Sequence, residues 1–208
     1  MNIFEFEGHV SKLFQVTKLG TIQHTLHAVS GVAGECGELL DLTKKVWIYN
    51  KPLDRDKVIE ECGDVLFYMF ATLISIFEPA SALFSVYSDS KTMAEMSIQV
   101  EKRAHEYATR EPVIPEVPEC HVQAMAMCEV AAELLHYIHI CAVPKNKMPL
   151  DIMMVTYYIS TLLAPMAMLA FVAGTNLEGV MGRNVEKLNK RYPNGFTQAA
   201  AIARRDVQ

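Results

Sequence analysis

Apolar residues along this chain return at intervals of three and four, and no stretch alternates strictly between apolar and polar positions. That periodicity predicts helices and no strands, so the fold class is all-α. A first helix is expected over about 4–28, with Phe4, Val10, Leu13, Phe14 and Val16 on its apolar side, ending near Gln23-His24-Thr25. A second follows over about 30–48 and is stopped by Tyr49-Asn50-Lys51-Pro52, because proline biases the residue before it away from helix. Asp54 or Asp56 is a good N-cap for a third helix over about 55–77, which Glu78-Pro79 ends. A serine-rich stretch then leads to a charged helix over about 91–109, and Pro112, Pro115 and Pro118 mark the best linker in the chain. Beyond it the pattern gives an apolar helix over about 120–142, a turn from Pro144 to Pro149, a long apolar helix over about 151–173, and a last helix over about 176–191. Tyr192-Pro193-Asn194-Gly195 closes that last helix.

Two halves of this pattern match as a diverged duplication. Met96 to Lys102 parallels Met181 to Lys187, and Gly37-Glu38-Leu39-Leu40 parallels Ala132-Glu133-Leu134-Leu135, each followed by a proline-containing turn and a long apolar helix. The expected division is residues 1–110 as a metal-binding helical repeat and 111–208 as a degenerate second repeat, both in one bundle. Where the first copy has Gln99, Lys102 and Glu106, the second has Asn184, Lys187 and Arg191, a stripe able to hold phosphate oxygens.

The acidic residues change the picture most. Glu35 and Glu38 form one i, i+3 pair, and Glu61 and Asp64 form another. On helices each pair occupies one face, so two neighbouring helices would aim four carboxylates at one point. Acidic pairs at this spacing usually sit on solvated faces, but here the second pair precedes the apolar run Val65 to Ile74, which predicts a buried helix. Buried carboxylates need partners, and oxygen-only ligands select hard cations such as Mg2+, or Mn2+. Glycines at 34, 37 and 63 remove side chains beside these acids, and Lys44 and Lys45 follow one to two turns on.

Composition narrows the partners. The formal charge of −5 without a basic cluster argues against sustained binding to nucleic acid and leaves mononucleotides open. Five cysteines without a CxxC pair suit a reducing compartment. The opening Met1-Asn2-Ile3-Phe4-Glu5-Phe6-Glu7 lacks the charged start and apolar run of a secretory signal, which points to the cytoplasm, that of a host if the chain is phage-encoded. The uncharged segment 152–172 approaches the ~20 residues of a membrane span, but it contains Pro165 and lacks flanking anchors. A central bundle helix is the expectation there, with no membrane partner.

Taken together, His27-Ala28, Gly31, the two acidic pairs, Lys44-Lys45, Tyr49, Lys51-Pro52-Leu53, Glu60, Gly63, and finally Asn184, Lys187 and Arg191-Tyr192-Pro193 resemble the MazG-type all-α nucleoside triphosphate pyrophosphohydrolases, most closely the phage-type members. The resemblance covers about 23–78 and 174–206. It implies a MazG-like helical bundle, here a fused pseudo-dimer, that hydrolyses an NTP or dNTP between the α and β phosphates with Mg2+. Carried over by matching positions, Glu35, Glu38, Glu61 and Asp64 are the metal ligands and catalytic acids. Lys44, Asn184, Lys187 and Arg191 are the substrate contacts, and assembly into a homo-oligomer is expected. Trp47 and Tyr49 are candidates for stacking on the base. Two competing readings are a non-catalytic nucleotide-binding or scaffolding protein and a carboxylate-bridged di-metal bundle, which normally needs a histidine in the acidic pair. The pairs His24/His27 and His136/His139 have ligand spacing, but both acidic pairs lack histidine.

Overall fold

A computed structural model describes residues 1–14, 21–84, 117–146, 148–193 and 195. Among these residues the chain is all-α, with no strand. The expected helix over 91–109, the prolines at 112 and 115, the boundary between 110 and 111, and the tail after 195 lie outside the described residues.

Helix α1 (Ile3–Leu13) starts at an Asn2 capping box and buries Ile3, Phe6 and Val10. Helix α2 (Thr21–Tyr49) is longer than its sequence suggests, for it takes in the residues assigned to the end of the first helix. Gln23-His24-Thr25 is not a stop, because Thr25 begins the buried stripe that continues through Ala28, Val29, Val32, Cys36 and Leu39. The polarity of Thr25 is met across the helix pair by the Ser75 hydroxyl, which donates to its Oγ1 at 2.9 Å. Helix α3 (Arg55–Ser75) is capped by Asp54, whose carboxylate accepts from the Lys57 backbone N–H. It is followed by a short 3-10 segment, Ala80–Phe84.

After the undescribed stretch come α4 (Glu119–Ala142), α5 (Ile152–Thr161), α6 (Leu163–Val172) and α7 (Leu177–Arg191). The single long helix expected over 151–173 is two helices with a break at Leu162. Pro165 accounts for the break: it has no N–H for the carbonyl of Thr161, and its ring crowds that carbonyl. By length and composition α4 and the span Ile152–Val172 are each apolar enough to cross a membrane, but 61% of the latter's window is buried inside the protein. In the most apolar stretch of α4 the buried share is 28%.

One hydrophobic cluster runs from Ile3 to Val185 and draws on both halves of the chain. At its centre α2 lies between α3 and α4, with α1 and α7 against α3 and α6 against α4. The back of α2 is tied to α4 by Thr43 Oγ1 and His121 Nδ1 at 3.0 Å and by the Cys128 thiol, which donates to the Cys36 carbonyl at 3.1 Å. On its other side α2 meets α3 through a notch. A Cβ on residue 31 would fall 2.3 Å from Tyr68 Cδ1, so only glycine lets this ring wedge between the helices. Gly34, by contrast, is exposed, and a Cβ there would meet nothing within 4 Å.

Gly31→Ala is therefore expected to destabilise by about 1–3 kcal/mol through overpacking, and Gly34→Ala to stabilise by up to about 1 kcal/mol through helix propensity. Urea denaturation midpoints check both signs. Equal shifts in the two variants would remove the wedge.

Candidate metal centre

The notch fixes the register of α2 against α3, and with it the acids. Glu35, Glu38 and Glu61 each present a carboxylate oxygen within 4.8 Å of the others. Their exposure is graded: Glu38 is exposed, Glu35 is partly buried and Glu61 is 2% exposed. No histidine or cysteine joins this cluster among the described residues. Asp64, the fourth acid, is one helical turn further along α3 and is gripped from α7. Asn184 Nδ2 donates to its Oδ1 at 2.8 Å, and the Lys187 ammonium donates to its Oδ2. Lys187 also approaches Glu60 Oε1 at 3.5 Å. Gly63 permits the close crossing, since a Cβ there would lie 2.9 Å from Asn184 Cβ.

Electrostatics register the crowding. The Glu35 carboxyl is pushed up to about 8, first by burial and then by the charges of Asp64, Glu61 and Glu38, with Lys187 pulling the other way. Burial also raises Asp64, an effect that Lys187 opposes. Lys57 stands 3.2 Å from Glu60 and 2.8 Å from Glu61. Burial would lower this ammonium, but its bonds to Glu61 and Glu60 hold it above its ordinary value. Glu61 Oε1 thus meets the Lys57 ammonium, while Asn184 Oδ1 is buried without a donor among the described residues. All-carboxylate donors converging within 4.8 Å fit a hard divalent cation.

The other residues singled out in the sequence divide. Arg191 lines a cavity of about 240 Å³ beside the acids, together with Phe14, His27, Glu35, Tyr68 and Tyr192. Asn184 and Lys187 belong to the same helix face but hold Asp64. Lys44 is not brought to the acids: it pairs with Asp41 at 2.5 Å on the exposed part of α2. Lys45 instead shares a groove with Glu38 and Glu61, because seven residues from Glu38 return to the same helix face and six do not. Trp47 tilts against His121 with ring centroids 5.1 Å apart, and neither it nor the exposed Tyr49 lines the cavity. His24 and His27 both stack on Phe14 at 5.1 Å, and His136 and His139 are exposed on α4.

Sequence reading missed Lys57 and Tyr68. Both had a local signal, since Lys57 lies four residues before Glu61 and Tyr68 four after Asp64, each on its acid's face. Phe14 and Phe67 join the site only through packing between α1 and α3, with centroids 6.4 Å apart. No family model, no curated protein and no solved structure matches this chain.

Without metal, the folded protein holds the Glu35 proton up to about pH 8, whereas the unfolded chain releases it near 4.5. Proton linkage then makes stability fall as pH rises across that window. Thermal melts in chelator at several pH values should show this fall. Glu35→Gln should flatten it, and Mg2+ should stabilise the wild type most at the upper end. A slope unchanged in Glu35→Gln would assign the proton elsewhere.

Proposed function

We propose that this protein is a cytoplasmic nucleoside triphosphate pyrophosphohydrolase of MazG-like architecture, using Mg2+ or Mn2+. The observation that carries the reading is the convergence of Glu35, Glu38 and Glu61 beside a cavity with aromatic walls that shares Glu35 with this cluster and is also lined by Asp64. Rings such as Phe14, Tyr68 and Tyr192 suit a nucleoside, and Arg191 at the same wall suits a phosphate.

Glu35, Glu38 and Glu61 would hold the cation, with Asp64 either joining them or orienting a ligand. Bound there, the cation would polarise the phosphoryl oxygens and offset the charge that develops on them. The protein's own residues do the rest. The aromatic walls position the nucleoside, Arg191 steadies the phosphate next to it, and Asn184 and Lys187 fix the Asp64 carboxylate. In the reaction the oxygen of a water bonds to the α-phosphorus. The bond from that phosphorus to the α–β bridging oxygen breaks, and the electron pair leaves with pyrophosphate. The water's proton passes to Glu35 or Glu38.

A pseudo-dimeric origin is supported by the placement of the matched segments. Leu39 and Leu134 are both fully buried, Glu38 and Glu133 are both exposed, and α2 and α4 pack on each other. In the second copy Val130 stands where Glu35 does in the first, so one chain carries one acidic centre and takes α7 from the other half.

The test incubates the purified protein with each ribo- and deoxyribonucleoside triphosphate, with Mg2+ or with chelator, and resolves products by anion exchange. The expected products are a monophosphate and pyrophosphate, only with metal. Tight binding without turnover would move the reading to a non-catalytic nucleotide-binding protein. Glu38→Gln should lower turnover by more than the roughly 10–100-fold typical of losing an outer-shell partner, with the fold retained by circular dichroism. Wild-type turnover in that variant would remove the acidic centre from the chemistry.

A further inference from the structure

The acidic cluster borders two depressions. Glu35 belongs to the aromatic cavity, whereas Glu38, Asp41 and Glu61 line a groove of about 390 Å³ between α2 and α3, together with Gly34, Gly37, Lys45 and Lys57. A ligand with its nucleoside in the cavity and a phosphorus at the acids has this groove open on the other side of them for whatever follows that phosphorus.

Three features fit the groove to an anion. Gly34 and Gly37 are exposed in the middle of a helix, where glycine costs stability, yet a Cβ at either would meet nothing within 4 Å. No neighbour among the described residues requires them, and their absence of side chains leaves the floor beside Glu35 and Glu38 bare. The groove's cations are Lys45, 2.7 Å from Asp41, and Lys57, on Glu60 and Glu61. Lys57 competes with any cation for the buried Glu61 carboxylate, whose Oε1 it meets at 2.8 Å. Like charges at one carboxylate repel, and the Lys57 side chain is 40% exposed on a flexible four-carbon stem that can turn into the groove. Lys187 is already committed to Asp64.

We propose that this groove binds the two terminal phosphates of the substrate, and the pyrophosphate they become, with Lys57 and Lys45 as the binding cations. The proposal rests on the triphosphate reading above.

Isothermal titration of the full chain with inorganic pyrophosphate in Mg2+, and separately with Mg2+ alone, tests it. Lys57→Met should weaken pyrophosphate binding about tenfold or more, as expected for a lost charged hydrogen bond, while Mg2+ alone binds as tightly or more tightly. Lys57→Arg should restore most of the loss, and Lys45→Gln should give a smaller one. Gly37→Leu alters no charge; it should obstruct pyrophosphate and leave Mg2+ binding intact, and it decides the matter if Lys57→Met fails to fold. Unchanged pyrophosphate affinity in Lys57→Met or, where that variant fails to fold, in Gly37→Leu overturns the proposal. So does a parallel loss of Mg2+ and pyrophosphate in Lys57→Met, which would make Lys57 only a prop for Glu61. Pyrophosphate binding that depends on Lys57, without turnover of any triphosphate, would support the groove and sink the hydrolase reading. Turnover with binding independent of Lys57 would do the reverse.

Discussion

Carboxylates do not enter a protein interior without something positive to meet them. In this bundle that requirement falls on the seam between α2 and α3, where Glu61 is almost wholly buried and Asp64 largely so. The response comes from two directions. Lys57 reaches Glu61 from one turn earlier on the same helix, and Lys187 reaches Asp64 from α7, near the far end of the sequence. Glycines at 31 and 63 let the neighbouring helices approach closely enough for this to happen. The position of α7 against α3 is thus as much an electrostatic matter as a hydrophobic one.

The remaining helices hold α2 in place from behind. Thr43 with His121 and Cys128 with the Cys36 backbone tie α2 to α4, and the apolar α6 packs against both α4 and α3. Burial pushes the Cys36 and Cys128 thiols up, with Cys128 also acting on Cys36, so these sulfurs stay protonated and behave as small core residues. Among the described residues that follow α3, α7 is the helix whose side chains reach the acids, through Asn184 and Lys187.

How far the sequence reveals this depends on the range of each signal. The two acidic pairs were legible because i, i+3 spacing is local, and so was the cap of α3, where Asp54 rather than Asp56 takes the position. The start of α2 was not, since Thr25 looks polar until Ser75 is seen to satisfy it from another helix. The break at Leu162 was written in Pro165 but masked by the apolar run around it. Lys44 and Lys45 differ by one residue, which on a helix is a turn of about 100°, and this alone decides which joins Glu38. The aromatic cavity was least accessible, because Phe14, His27, Tyr68 and Tyr192 come from four separate segments.

The bond from Asn184 to Asp64 spans 120 residues. During synthesis the ribosome therefore releases both acidic helices well before it makes the helix that answers Asp64. Until α7 arrives, the growing chain carries Asp64 without either of these α7 partners. Docking of α7 then brings Asp64 its amide and ammonium partners, so a chain stalled before α7 presents that carboxylate without them while Glu61 already has Lys57.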